Sequence, residues 1–132
     1  MATMNFGQVP KNLKQAKWLN DTACSQRRFI KLGAGGVDYA TADTDIIIGV
    51  LYSDGVAQYG MVDYSPLVPG EEVLVDCGGA GILALGKVTA TTAGEAVTCS
   101  GAVTKYMAGI AMEAATAGKV FRMKCAPGYT SG

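Results

Sequence analysis

The second half of the chain alternates apolar and polar residues behind a recurring glycine. Pro69-Gly70-Glu71-Glu72-Val73-Leu74-Val75 is the first copy of this phrase, Ala93-Gly94-Glu95-Ala96-Val97-Thr98-Cys99 the second, and Ala117-Gly118-Lys119-Val120-Phe121-Arg122-Met123 the third. The glycines at 70, 94 and 118 stand 24 residues apart each time. Apolar residues two positions apart follow each one: Val73 and Val75, Val97 and Cys99, Phe121 and Met123. Side chains of a strand alternate between faces, so each phrase predicts a turn glycine feeding a half-buried strand. A repeat this short suggests successive strand-turn-strand units.

The same alternation marks further strands. Arg28 to Leu32 reads as a strand ended by Gly33-Ala34-Gly35-Gly36, with Val37 to Ala40 as its hairpin partner. Asp45 to Tyr52 contains three consecutive isoleucines and predicts a strand buried on both faces. Ser53-Asp54-Gly55 is a turn, and Gln58 to Tyr64 a further strand. Others are expected near Ile82 to Leu85, Lys87 to Thr91 and Tyr106 to Met112, with Pro127 to Gly132 as a tail. Phe121, Met123 and Cys125 should point inward, Arg122 and Lys124 outward. Little room remains for long helices. The fold expectation is all-β, a small β-barrel or sandwich over residues 29–132, preceded by an N-terminal arm over residues 1–28.

That arm has weak periodicity. Pro10 followed by Lys11 to Asn20 reads either as a short helix, with Leu13 and Ala16 on one side, or as an extended segment. Trp18, the only tryptophan, lies in it and packs either on its own domain or on a partner, where tryptophan is enriched.

Composition sharpens this picture in four ways. Hydrophobic residues make up 49% of the 132 positions, enough for one packed domain. Net charge is zero but unevenly placed: up to Lys31 six basic residues face one acidic residue, and beyond it five face ten. The balanced total argues against non-specific nucleic-acid binding. The longest strongly apolar block, Ile46 to Leu51, is far shorter than the roughly 20 residues of a membrane helix. No apolar signal-peptide core appears between Met1 and Trp18, so synthesis in the cytoplasm is expected.

Candidate chemistry is sparse. The chain has no histidine, which removes Ser-His-Asp and Cys-His catalysis and every His-ligated metal site. Cys24, Cys77, Cys99 and Cys125 are far apart in sequence and read as buried free thiols. Gly79-Ala80-Gly81-Ile82-Leu83-Ala84 fits G-x-G-x-x-A, but Gly86-Lys87-Val88-Thr89 returns to strand character where a dinucleotide site needs a helix. It reads as a turn. No catalytic residue, cofactor or metal is expected. The charge asymmetry instead nominates a partner-binding segment, with Lys11, Lys14 and Lys17 supplying attraction and Leu13 and Trp18 as anchors.

The stretch from Leu67 to Cys125 resembles the small capsid decoration (cement) proteins of tailed bacteriophages. Thr92-Ala93-Gly94-Glu95-Ala96-Val97 and Ala108-Gly109-Ile110-Ala111-Met112-Glu113-Ala114-Ala115-Thr116-Ala117-Gly118-Lys119-Val120 carry the likeness. Ala108, Lys119 and the basic N-terminal segment depart from the family phrase. The resemblance implies a β-rich virion protein, often a homotrimer, that binds the outer surface of the head. There it bridges major capsid subunits and stabilises the shell. It implies no catalytic residues; from charge balance and run length, neither a nucleic-acid partner nor a membrane is expected. The alternative reading is a small β-barrel accessory module of a phage tail or of an enzyme complex. Copy number per particle separates the two.

Overall fold

The computed structural model describes residues 13–99 and 105–130. Ten strands follow one another: β1 (Lys14–Lys17), β2 (Phe29–Gly33), β3 (Gly36–Tyr39), β4 (Gly49–Leu51), β5 (Met61–Pro66), β6 (Glu72–Asp76), β7 (Lys87–Ala90), β8 (Ala96–Thr98), β9 (Lys105–Ala111) and β10 (Val120–Thr130). The only helical element among the described residues is a 3-10 turn at Thr92–Gly94. The fold is all-β, as the alternation predicts.

The strands form two five-stranded antiparallel sheets, ordered β1-β5-β4-β2-β3 and β6-β10-β9-β7-β8. Each sheet rolls until its outer strands meet. Trp18, just past β1, bridges Val37 of β3; Cys77, just past β6, bridges Ala96 of β8. Rolling hides the unpaired edges that an open sheet exposes.

The two rolls repeat one another. Lys17 pairs with Met61 and Asp76 with Val120, each residue 59 positions on (17 to 76, 61 to 120). The Trp18–Val37 and Cys77–Ala96 bridges show the same offset. Ile30 opposite Tyr39 becomes Val88 opposite Thr98. Phe29 opposite Val50 becomes Lys87 opposite Ile110, and Gly49 opposite Pro66 becomes Gly109 opposite Cys125, so the offset is 58 from β2 to β7 and 60 from β4 to β9. Turn bonds follow suit: Trp18 N–H donates to Gly60 O at 2.8 Å, and Cys77 N–H to Lys119 O at 2.8 Å.

This architecture explains the 24-residue phrase and corrects its reading. Gly70, Gly94 and Gly118 have φ of 89°, 73° and 80°, and a strand begins two residues after each. They introduce the first, third and fifth strands of the second roll, which are not successive hairpins: β6 and β10 are neighbours, and β8 lies at the other edge. The first roll keeps the rhythm at Gly35 (φ 85°) and Tyr59 (φ 70°), 59 positions before Gly94 and Gly118.

Two apolar clusters fill the molecule. Trp18, Ile30, Val37, Leu51 and Val62 pack inside the first roll. Val75, Cys77, Val88, Ala96, Ala111, Phe121 and Met123 fill the second, and Phe29, Ala40, Ile47 and Val50 join the same cluster. Neighbours in a strand face opposite ways, so β2 and β4 send Ile30 and Leu51 into their own roll, and Phe29 and Val50 into its partner. Volumes are redistributed between the copies. Trp18 stands where the second roll has Cys77, and Leu51 where it has Ala111, while Val62 stands where it has Phe121.

Several expectations need correction. The segment around Lys14 is neither helix nor free arm, because Lys14–Lys17 is a full member of the first sheet, paired along its length with β5. The isoleucine run gives only three ladder residues, Gly49–Leu51. Asp45 is held back by Lys31 and the Thr41 amide, and Ile46 is exposed. Ile82 to Leu85 makes one isolated bridge, Ile82 to Ala115, because left-handed backbone at Gly81 and Leu85 interrupts pairing. Pro127 belongs to no tail: β10 continues to Thr130, and a bulge between Cys125 and Gly128 absorbs the residue that lacks an N–H.

Candidate interaction surface

The four thiols fall at strand or loop positions that point inward or sideways. Cys24, Cys77 and Cys125 are buried and Cys99 half-buried; all are free. Burial pushes the Cys125 thiol up from 9.0 to about 11, with the Glu71 charge adding to it. Burial also raises Cys24 and Cys77. Neutral thiols are poor nucleophiles and poor ligands. Among the described residues no three acidic or thiol side chains converge on a point that could hold a metal ion. Gly81 of the G-x-G-x-x-A phrase has φ 80°, and β7 rather than a helix follows it.

The strongest polar cluster joins the rolls. The Asp76 carboxylate accepts from Arg27 Nε and Arg28 Nε, each at 3.0 Å. Arg28 also donates to Ala93 O at 3.1 Å, and the Asp76 amide donates to Arg27 O at 3.0 Å. On the far side of the junction Lys105 pairs with Asp43 at 2.6 Å, and the Tyr106 amide donates to Asp43 O. Asp45 lies nearby. Burial alone would raise its carboxyl, but the Thr41 amide and the Lys31 ammonium outweigh burial and lower it. These groups are matched to one another and tie the two rolls together.

Of the sequence-nominated partner residues, Lys11 lies outside the described residues. Lys14 and Lys17 are exposed, and Leu13 is 39% exposed. Trp18 is corrected: it is 0% exposed, its indole N–H donates to Thr22 O at 2.8 Å, and its ring meets Tyr39 edge-on. It anchors its own roll. Lys17 and Met61 are register partners on the outer face, and Leu13 shares that parity. With exposed Tyr59 they form a mixed apolar and basic patch.

Sequence reasoning missed the larger apolar exposures. Leu32 (69%) and Ile46 lie on the first roll, Leu83 (68%) and Leu85 (75%) on the second. The three consecutive isoleucines place Ile46 in a strand buried on both faces, and Leu83 falls in the strand expected near Ile82 to Leu85. The signal that could have located them is the 59-residue repeat, which is nearly erased in side-chain identity.

No family model matches the chain, and no curated protein does. Among solved structures it is similar to the head fiber gp8.5 N base of bacteriophage phi29, with a TM-score of 0.65 and 19% identity, over 87% of this chain and 93% of that one. The likeness concerns the fold.

Proposed function

We propose that this chain is a structural virion protein that binds the outer surface of a bacteriophage head and stabilises it by bridging major capsid subunits. The observation that carries the reading is the head-fiber base likeness, which spans nearly the whole of both chains. The resemblance of Leu67 to Cys125 to capsid decoration proteins points the same way from the sequence alone. Matched internal ion pairs and buried neutral thiols fit a protein that acts by contact rather than by chemistry. Leu13, Lys14 and Lys17 are the capsid-facing candidates, Lys17 with Met61 and Tyr59 on the outer face and Lys14 exposed at the other end of β1: lysines for an acidic shell, apolar groups for the buried centre. Many weak sites on one shell give retention that a single site does not. Association into a homo-oligomer, a trimer by the decoration-protein resemblance, belongs to this reading, as does virion localisation.

The test is add-back. Heads of the encoding phage that lack this protein are incubated with it and sedimented. Saturable co-sedimentation, with heads that then survive heating they otherwise do not, is the expected result. Recovery on tails, or none on heads, rejects the reading.

A further inference from the structure

The 59-residue repeat allows each exposed surface to be compared with its counterpart in the other roll. At the internal junction, the first roll presents Arg27, Phe29 and Val50. The second roll meets this surface with Asp76 at Arg27, Gly94 at Phe29 and Tyr106 at Asp43. Asp76 holds Arg27, the Gly94 backbone lies so close to Phe29 O that an added Cβ would sit 2.5 Å from it, and the Tyr106 amide bonds Asp43. Presenting and receiving surfaces differ, so the junction is heterologous. Such a junction leaves one surface of each kind open at the ends of the pair.

Each open end exposes large apolar side chains beside a lysine. The presenting surface of the second roll has Leu85 for Arg27, Lys87 for Phe29 and Ile110 for Val50. Phe29 and Val50 are fully buried, whereas Leu85 is 75% exposed, Lys87 is exposed and Ile110 half-buried. The receiving surface of the first roll has Lys17 for Asp76, Gly35 for Gly94 and Ile46 for Tyr106. Beside them Leu32 stands for Ala90, which is buried in the shared core. An added Cβ at Gly35 would meet nothing within 4 Å, in contrast to Gly94. Leu32, Ile46 and Leu85 are thus exposed where their counterparts are engaged.

We propose that the chain binds a second copy of itself head to tail, the Leu85 surface of one copy seating on the Leu32 and Ile46 surface of the next. A like roll is the occupant because the counterpart of each open surface is already filled by one. The Arg27–Asp76 pair is not reproduced, since Leu85 and Lys17 hold those positions. Apolar side chains carry the contact, and raised salt leaves it intact. The proposal deepens the oligomeric part of the reading above and rests on that part alone; the soluble chain tests it without heads.

The experiment is sedimentation velocity on the full chain across a concentration series, at low and high salt. The wild-type mass should rise with concentration at both. Leu85→Asn removes the apolar side chain while suiting the left-handed backbone there (φ 62°), and Leu32→Lys places a charge on the other surface. Each should weaken association at least about tenfold. Mixed in equal amounts, the two variants should form 1:1 dimers and nothing larger, because each keeps the surface the other lacks. Circular dichroism and thermal melts verify folding, with Leu85→Ala and Leu32→Thr as milder versions. A wild-type chain that stays monomeric, folded variants that keep the wild-type mass, or a mixture that remains monomeric overturns the proposal. Failure here leaves head binding by add-back unaffected, so the two readings fall separately.

Discussion

Gly49 and Gly109 occupy the same place in the two rolls, each where the fourth strand of its roll presses on a carbonyl of the fifth. A Cβ on Gly49 would lie 2.6 Å from Ser65 O, and one on Gly109 would run into Lys124 O. Ser65 and Lys124 are themselves counterparts, opposite Val50 and Ile110. The duplication therefore preserves a steric requirement where it preserves little else. Gly49→Ala and Gly109→Ala should each destabilise the protein by roughly 1–3 kcal/mol, since the strands must part to admit the methyl group. Urea unfolding measures this, with Gly79→Ala as the control because nothing lies within 4 Å of its added Cβ.

Tyr59 and Gly118 are counterparts with φ of 70° and 80°. Side chains other than glycine are strained in this region by about 1–2 kcal/mol. Gly118 has open space around it, so Gly118→Ala tests the backbone alone and should cost about 1 kcal/mol. Tyr59→Gly should cost nothing or slightly stabilise, because strain is released where the tyrosine ring is exposed. Thermal melts of both variants under one buffer provide the comparison.

Phe121 is fully buried in the second roll where the first has Val62. Phe121→Ala should cost roughly 3–5 kcal/mol by denaturant unfolding. Deleting Met1 to Leu19 removes β1 and Trp18 together. The remaining chain should lose cooperative unfolding of the first roll rather than melt unchanged, as it would if the segment were a detachable arm.

The Cys125 thiol gives a pH dependence with a definite sign. Below about pH 9 it is protonated in both folded and unfolded chains, and its contribution is complete. Between about pH 9 and about pH 11 the unfolded thiol loses its proton while the buried one keeps it, so stability falls as pH rises. Cys24 and Cys77, also raised by burial, act in the same direction. Melting temperature in a reducing buffer should decline across that window, and Cys125→Ala should make the decline shallower. A melting temperature that rises with pH there would contradict this assignment.

The strands were largely legible because turn glycines and period-two alternation are local signals. Gly70, Gly94 and Gly118 each mark a strand start, and Phe121, Met123 and Cys125 point inward as their spacing requires. The duplication was hidden because each roll needs only its total interior volume conserved. Trp18 with Val62 in one roll and Cys77 with Phe121 in the other fill the same positions with unrelated side chains. Tyr59 also replaces the glycine that would have extended the 24-residue rhythm into the first roll. The interaction surface was the least legible part. Whether Ile46 or Leu85 faces solvent depends on which roll lies beyond it, and that is set by long-range packing. Trp18 shows the converse, since a lone tryptophan in a basic segment is drawn inside by β1 pairing with β5.

Electron cryo-microscopy of the virions that carry this chain tests the head-surface reading most directly. Repeated density is expected on the outside of the head, contacting neighbouring major capsid subunits, into which the two-roll fold fits with β1 and β5 toward the shell. Heads bare of such density, or the two-roll fold found in the tail instead, would contradict it.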